Sequence, residues 1–256
     1  MKRIFLNLAL ASGLACAVQA ASSAEEKSGQ TTGLTVPTPA EFFAALDKTI
    51  KPDWASFYRD PVPTTYSVRP LTAVNLGALV TDGYLAVEAQ DGQQVKNTGK
   101  DIITLARALG VGEHVLARGK SIGDFADKND WSALKEELDA TTNEVRLAMA
   151  GQHDEGLASL ITAGAWVRAL HVGGRAAELS GEPSADELLS QPGLLAALRA
   201  DLEKLPEKNR DIPAIKNTQE ILAALEERMK ASTGSPQAAD IVKTAGDFIT
   251  DAAQKR

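Results

Sequence analysis

The stretches that decide the fold are ALVTDGYLAVEAQDG at residues 78–92 and SLITAGAWVRALHVGG at residues 159–174. Each places a leucine, a β-branched residue and a threonine ahead of a glycine, and then continues with bulky apolar residues. Apolar residues occupy more than one face of each stretch, and a helix of that kind is typically buried. We therefore predict two central helices, over residues 71–90 and 153–179, that pack against each other.

Helical spacing of apolar residues continues along most of the chain after residue 39. Strand signals are nearly absent, because no alternating run of β-branched and aromatic residues is bounded by turn residues. The sequence therefore predicts an all-α fold, a multi-helix bundle of antiparallel helical hairpins in one domain over residues 39–256. Residues 110–130 are predicted to be a connection with about two helical turns. The proline-rich stretch 51–70 is predicted to be a loop whose aromatic residues pack onto the core.

The two central stretches also raise the hypothesis of an internal duplication of about 80 residues. Thr81 and Gly83 align with Thr162 and Gly164 at one common offset. The alternative is a chance resemblance between two helices that are both rich in alanine and leucine. The duplication hypothesis divides the domain into repeats over 40–120 and 121–200, followed by C-terminal helices over 206–256.

The threonines and glycines shared by the two stretches have a packing explanation. Small residues let helix axes approach closely, whereas glycine inside a helix costs about 1 kcal/mol relative to alanine. Close contact must offset that cost, so Gly83 and Gly164 are predicted to lie where helices touch. Leucine at either position is expected to destabilise the fold through overpacking.

The amino-terminal residues predict export. Lys2 and Arg3 precede an apolar run over residues 4–15, and small residues lead to Ala20. This pattern is typical of a secretory signal peptide, here residues 1–20. The polar residues 21–38 that follow have no repeating apolar face and are predicted to be a flexible leader. We therefore expect a periplasmic or secreted protein.

Cys16 is the only cysteine of the chain and lies inside the predicted signal peptide. The mature chain is therefore expected to lack disulfides, a thiol nucleophile and cysteine metal ligands. The alternative is a lipid anchor on Cys16, which would tether the protein to a membrane. The lipidation pattern is poor because Gly13 stands where a leucine is usual.

The charge of the chain argues against two kinds of partner. The 256 residues carry a net charge of −7, and removing Lys2 and Arg3 with the signal peptide makes it −9. Nucleic acids and anionic lipid surfaces are bound by clustered Lys and Arg, so neither is expected as a partner. The longest apolar run is also too short for a transmembrane helix, which needs about 20 residues.

No sequence motif makes a persuasive catalytic or metal site. GKSIG at residues 119–123 has the spacing of a serine-hydrolase nucleophile elbow, but that motif requires a preceding strand. Ser121 is instead predicted to cap a short helix. The histidines His114, His153 and His171 have no shared metal-ligand spacing, and no cofactor-binding motif is present. The sequence therefore favours binding over catalysis, and no cofactor is expected.

Polar residues on the apolar faces of the central helices are the candidate site residues. Asn75 and Asp82 share a stripe of the first helix, and Arg168 and His171 share a stripe of the second. A buried charge is costly unless it is paired, so Asp82 is expected to contact Arg168. Together with Trp166, these residues form either a structural polar cluster or the lining of a pocket between the two helices.

Two functional hypotheses follow from these residues. The first is an exported, non-catalytic interaction or scaffold protein of the cell envelope, with an unidentified protein partner. The second is a helical binding protein with a small-molecule pocket between helices 71–90 and 153–179. A closed core around the polar residues favours the first hypothesis, and a pocket on which they converge favours the second.

Overall fold

The computed structural model describes residues 30–31, 34–35, 37–231 and 238–255. The predicted signal peptide with Cys16, and most of the predicted leader, lie outside these residues. Inside the leader, β1 (Gln30–Thr31) pairs antiparallel with β2 (Leu34–Thr35). From residue 39 onward the described chain forms helices and their connections, which confirms the all-α prediction. The helices are α1 (Pro39–Ile50), α2 (Arg69–Glu88), α3 (Gly92–Ala108), α4 (Gly112–Asp127), α5 (Trp131–Gly151), α6 (Glu155–Ser180), α7 (Pro183–Leu189), α8 (Pro192–Glu203), α9 (Glu207–Arg210), α10 (Pro213–Ala231) and α11 (Ala238–Gln254).

The two predicted central helices are α2 and α6, and they share the largest helix–helix interface of the described chain. Every residue of α2 from 72 to 87 is buried. Arg69 contacts Asp154 near the start of the pair, and Asp82 contacts Arg168 further along. Because the contacts advance together along both helices, α2 and α6 run in the same direction.

The connections between α2 and α6 explain that direction. Each pair of consecutive helices from α2 to α6 is joined by three residues, and the middle one has a positive φ. Backbone hydrogen bonds satisfy the last carbonyl groups of the preceding helix. In one of them the Asp154 N–H donates to the Met149 carbonyl at 2.9 Å. This is the Schellman arrangement, which reverses the chain sharply. Four reversals bring α6 parallel to α2, and the left-handed residues are Gln90, Gly110, Asn129 and His153.

Backbone-to-backbone contact between α2 and α6 depends on two glycines. A Cβ atom at Gly77 would lie 1.9 Å from the carbonyl oxygen of Ile161, which leaves no room for any side chain. A Cβ atom at Gly164 would lie 2.2 Å from the carbonyl oxygen of Val74. Glycine is needed at both positions because the helix axes approach so closely there.

The shared threonines and glycines do not all serve the contact between α2 and α6. Gly83 faces the side chain of Leu138 at an ordinary contact distance of 3.5 Å, so it does not mediate the α2–α6 contact. Thr81 does reach across, because its hydroxyl donates to the Ala165 carbonyl at 2.8 Å. Thr162 instead donates to a carbonyl of its own helix. The register between the helices, which sequence similarity does not reveal, decides which residues meet.

Helix α4 corrects the prediction for residues 110–130. These residues form a helix of 16 residues and not a connection with about two turns. Ser121 lies inside this helix, so the prediction that it caps a short helix is wrong. Three glycines and many charges dilute the apolar pattern of this segment, although Val115 and Ile122 still point into the core.

The proline-rich loop between α1 and α2 lies against the core, as predicted. Trp54 and Phe57 form a short 3-10 turn and are buried. The indole N–H of Trp54 donates to Asp47 of α1 at 3.0 Å, and the ring packs 5.2 Å from that of Phe43. The loop is therefore fixed from beneath by its aromatic residues.

The last helix, α11, completes the bundle by packing along α6 and touching α2. The amide of Asn75 donates to the Ala252 carbonyl of α11 at 2.8 Å, and also to the carbonyl of Leu71 at 2.9 Å. Among the helices built from described residues, none is long and apolar enough to cross a membrane.

Candidate binding site

The predicted contact between Asp82 and Arg168 is present and belongs to a larger cluster. Arg168 Nε donates to Asp82 Oδ1 at 2.8 Å, and the Arg168 side chain is only 2% exposed. The other carboxylate oxygen accepts from Arg59 Nε at 2.8 Å. Sequence reasoning missed Arg59, because it lies in a proline-rich loop that has no helical periodicity. One buried carboxylate is therefore shared by two guanidinium groups.

The two arginines keep Asp82 ionised. Burial alone raises the pKa of Asp82, but the charges of Arg168 and Arg59 and their hydrogen bonds outweigh it. The pKa of this carboxyl group therefore lies below its ordinary value. A buried ion pair of this kind is costly to break, since removing one partner strands the other charge.

The remaining donors of Arg168 bind the loop and a histidine. Nη2 donates to the Phe57 carbonyl at 2.9 Å, and Nη1 lies 3.0 Å from His171 Nδ1. A guanidinium can only donate, so Nδ1 of His171 accepts and its proton resides on Nε2. Burial, followed by the charge of Arg168, lowers the pKa of His171 to about 4. The histidine is therefore neutral near pH 7, and the cluster fastens the loop to the central helices.

The other two predicted site residues lie elsewhere. Asn75 binds carbonyls of α2 and α11, as described above, and does not join the cluster. Trp166 packs its ring 5.8 Å from that of Phe42 in the core. The structure thus brings together Asp82, Arg168 and His171 only. At Gly77 and Gly164 the backbones of α2 and α6 touch, which leaves no space between the two helices at those positions.

A cleft of about 300 Å³ does open on one flank of the α2–α6 pair. Its floor is formed by buried residues of the two central helices, including Val80, Ile161 and Trp166. Its walls are α5 on one side and Leu198 of α8 on the other, and residues 37–39 close one end. The α6 residues that line it include small, half-buried ones, namely Ala158, Ser159 and Thr162. Clefts of this size between the helices of a bundle are common ligand sites.

Four polar side chains of the cleft come from one stripe of α5. Asp139, Thr142, Asn143 and Arg146 recur at helical spacing and all line the cleft. In the sequence this stripe resembles an ordinary solvated helix face, opposite the apolar stripe that packs on the core. The stripe could have been identified as part of a site only from the neighbouring helix that covers it. The sequence does not show this, because it does not give the packing of the helices.

Tyr84 connects the floor of the cleft to this polar wall. Its hydroxyl donates to Asp139 Oδ1 at 2.5 Å, and the side chain is almost fully buried. Burial, together with the negative charge of Asp139 and the bond to it, raises the pKa of Tyr84 well above its ordinary value. The phenol therefore stays protonated, and it serves as a fixed donor to Asp139.

A second, more open cavity of about 400 Å³ lies beside the buried cluster. Arg59 and His171 line it, together with loop residues 60–63 and part of α11. Its arginine is already engaged with Asp82, and the exposed Asp60 carboxylate stands at its edge. The cavity therefore offers mixed charge at a surface depression.

The two kinds of catalytic site considered from the sequence, a metal site and a nucleophile elbow at Ser121, are not formed by the described residues. No three His, Cys, Asp or Glu side chains among those residues are grouped so as to hold a metal ion. Ser121 lies inside α4 and does not follow a strand, so the geometry of a nucleophile elbow is absent there.

Comparison with known proteins gives no relative from which a function could be transferred. The chain matches no protein-family model, no curated protein and no solved structure. The functional conclusion therefore depends on the geometry of the site.

Proposed function

We propose that this chain is a non-catalytic binding protein that holds a small, largely apolar molecule in the cleft between α2, α5, α6 and α8. The observation that carries the proposal is the cleft itself, with its apolar floor and a few polar groups on one wall. A cavity of about 300 Å³ lies at the lower end of the range for small-molecule pockets, which is about 300–1,000 Å³. That volume suits a compact amphipathic molecule and excludes a folded polypeptide.

The proposed pocket lies away from the position expected from the sequence. Asp82 and Arg168, at the centre of the polar cluster, are engaged in internal contacts, and we assign the cluster a structural role. Of the five residues proposed from the sequence as a site, only Trp166 borders the cleft. The remaining lining residues, such as Tyr84 and Asp139, are new candidates.

The second candidate function is the exported interaction or scaffold protein of the envelope. It is supported by the closed packing around Asp82 and by the loop over residues 51–68. The loop is fixed internally through Phe57 and Arg59, while Asp60 and Pro61 are exposed on its surface. A rigid exposed loop of this kind can serve as a contact surface for another protein.

Export belongs to both candidates and is supported by the amino-terminal sequence pattern. Amino-terminal sequencing of the protein purified from its native cells is the direct test. The expected first residue is Ala21, and a chain that begins at Met1 or at a lipid-modified Cys16 would contradict this part of the proposal.

Native mass spectrometry of the full-length protein, purified from its own cells, tests the two functions. Ser159 lines the cleft and Ser132 lies on the exposed surface of α5, so Ser159→Phe and Ser132→Phe make a matched pair. A bound small molecule should appear in the wild type and in Ser132→Phe and should be absent from Ser159→Phe. Melting curves of both variants confirm that they are folded.

Two results would overturn the binding proposal. One is a wild-type spectrum in which the protein carries no small molecule but retains another polypeptide, which favours the scaffold function. The other is retention of the same small molecule by a folded Ser159→Phe variant, because the molecule would then lie outside the cleft.

A further inference from the structure

We propose that the open cavity beside the buried cluster is a second binding site, which takes a small organic monocarboxylate with an apolar body. The cavity is lined by Arg59 and His171, by loop residues 60–63 and by part of α11. It shares no lining residue with the cleft between α2, α5, α6 and α8, so this inference does not depend on the proposed function.

The buried cluster carries one positive charge more than it neutralises internally. Arg59 and Arg168 both contact the carboxylate of Asp82, and His171 is neutral near pH 7. The three charged side chains are largely buried, and Arg59 is the most exposed of them at 18%. A buried charge without a counter-charge is costly, because little water reaches it. An anion bound at the cavity would supply the missing counter-charge.

Two nitrogen atoms of the cluster are available to such an anion. Arg59 contacts Asp82 through Nε and Nη2, at 2.8 and 2.6 Å, so its Nη1 has no partner among the residues that the structure describes. The proton on Nε2 of His171 likewise meets no acceptor in the described part of the chain. Because residue 246 is a glycine, no side chain from that position of α11 covers Nε2. Both atoms can only donate, and charge-assisted donation to a carboxylate is among the stronger kinds of hydrogen bond.

The rest of the lining suits the organic part of the ligand. Thr250 and Gln254 lie one turn apart on the exposed face of α11 and offer a hydroxyl and an amide. Pro61 and Val62 of the loop and Ile249 of α11 contribute apolar surface. The volume of about 400 Å³ falls within the range of about 300–1,000 Å³ that is usual for small-molecule sites. An inorganic anion would leave the apolar surface uncovered, which favours an organic carboxylate.

A further positive charge acts on the same side of the cluster. Arg175 lies one turn beyond His171 on α6 and is exposed. After burial, the charges of Arg168, Arg175 and Arg59 each lower the pKa of His171, and that of Asp82 raises it. The histidine therefore lies in an electropositive environment, in which an anion is stabilised.

The negative groups near the cavity are more exposed than the cluster. Asp60 lies in the lining but is exposed, so water screens its charge more than that of a buried group. Asp251 of α11 is paired with Lys255 at 2.5 Å. The carbonyl end of α11 carries a partial negative charge that falls off within its last turn. An excess of about one positive charge therefore suits a monoanion better than a dianion.

Isothermal titration calorimetry of the full-length protein with three six-carbon probes tests the charge preference. Hexanoate, hexanol and hexylamine share a tail and differ in the charge of the headgroup. Near pH 7 the wild type should bind hexanoate at least about tenfold more tightly than hexanol, and hexylamine most weakly. Inorganic phosphate, which has no apolar body, should bind more weakly than hexanoate. Added salt should weaken the binding of hexanoate more than that of hexanol.

A pair of variants with the same change of net charge identifies the source of the preference. Arg59→Gln removes the excess charge and the Nη1 donor while Asp82 keeps Arg168, and it should weaken hexanoate binding by about tenfold or more. Arg228 is exposed on α10, where its guanidinium donates to the Ala224 carbonyl of its own helix. Arg228→Gln should therefore leave the affinity for hexanoate unchanged.

The imidazole resonances of the three histidines locate the bound probe in the wild type. Hexanoate should shift the nitrogen resonances of His171, which lines the cavity, in nuclear magnetic resonance spectra. It should leave those of His114 and His153 in place, because neither histidine lines the cavity.

The outcomes are distinguishable from those that test the proposed function. Ser159→Phe fills the cleft and should leave hexanoate binding unchanged, so loss of hexanoate in that variant would overturn the second site. Hexanol or hexylamine binding as tightly as hexanoate, or phosphate binding more tightly, would overturn the organic carboxylate. Hexanoate binding without a shift at His171 would overturn the location. Should Arg59→Gln be unfolded, the imidazole resonances and the salt dependence of the wild type decide the question.

Discussion

Replacing Gly77 by alanine adds one methyl group at the closest approach of α2 and α6. The added Cβ would lie 1.9 Å from the Ile161 carbonyl oxygen and 2.8 Å from the backbone nitrogen of Ala165. Ordinary van der Waals distances for a Cβ begin near 3.4 Å. The helices must therefore separate by about 1.5 Å at this point, because a backbone carbonyl within a helix cannot rotate away.

The cost follows from overpacking and from weaker dispersion between the side chains on either side of the glycine. Overpacking of a well-packed core costs about 1–3 kcal/mol, and a gap of about 0.5–1 Å already forfeits a quarter to a half of the dispersion energy of each atom pair. Alanine recovers about 1 kcal/mol through its higher helix propensity. Because the helices must separate by about 1.5 Å, the upper end of the overpacking range applies, and we expect a net loss of about 2 kcal/mol, which lowers the Tm by about 4–8 °C in a domain of this size.

Thermal unfolding followed by circular dichroism at 222 nm measures this loss, and the chain offers two matched controls. Gly123 lies inside α4, and no other described side chain or neighbouring helix comes within 4 Å of the position that an alanine Cβ would occupy. Gly123→Ala should therefore raise the Tm by about 2–4 °C. At Gly83 the nearest atom is a Leu138 methyl group at 3.5 Å, so Gly83→Ala should be neutral or mildly stabilising.

A Gly77→Ala protein that melts within a degree of the wild type, or above it, would refute this reasoning. A Gly83→Ala protein that is the less stable of the two would refute it equally. The second result would restore the sequence-based hypothesis, in which Gly83 and Gly164 mediate the helix contact.

Three further predictions concern the buried cluster and its response to pH. Asp82→Asn leaves Arg168 buried without its counter-charge and should lower the free energy of unfolding in urea by about 3–5 kcal/mol. Asp247→Asn, at an exposed ion pair, should lower it by less than about 1 kcal/mol. Similar losses in the two variants would contradict the structural role of the cluster. Because the pKa of Asp82 is lowered in the folded protein, the ionised carboxylate stabilises the fold above its unfolded pKa, and this stabilisation is lost as the pH falls through the folded value. Asp82→Asn should therefore lose less stability than the wild type between about pH 5 and strong acid. His171, with a folded pKa of about 4 against an ordinary 6.5, binds a proton in the unfolded chain first. Between pH 6.5 and 4, the free energy of unfolding should therefore fall by about 2–3 kcal/mol more in the wild type than in His171→Asn. If the free energy of unfolding fell equally with pH in both proteins, the histidine would not be held neutral.

The sequence was sufficient for the parts of the fold that depend on apolar periodicity and on the cost of burying charge. Two-sided apolar patterns predicted that α2 and α6 are central. The pairing of Asp82 with Arg168 followed because a carboxylate and a guanidinium on buried faces each need a partner.

What the sequence could not supply was the register and separation of packed helices. From the sequence alone, Gly77 and Gly83 are equally plausible contact residues, and only the rotation of α2 against α6 distinguishes them. The cleft was missed for the same reason, since Asp139 and Arg146 resemble a solvated face until α8 is placed opposite them. His153 was expected at the start of a helix, yet it occupies a left-handed position that glycine usually takes.

The bond from Asn75 to Ala252 has a consequence for how the chain folds. Its two ends are 177 residues apart, so it forms only after all the helices from α2 to α11 have been synthesised. The hairpins from α2 to α5 close over short loops and can form early, because local contacts cost little chain entropy. Helix α11 is made after α2 and α6 and packs against both. The bundle should therefore behave as one cooperative unit whose rate-limiting step is the long-range closure by its final helix.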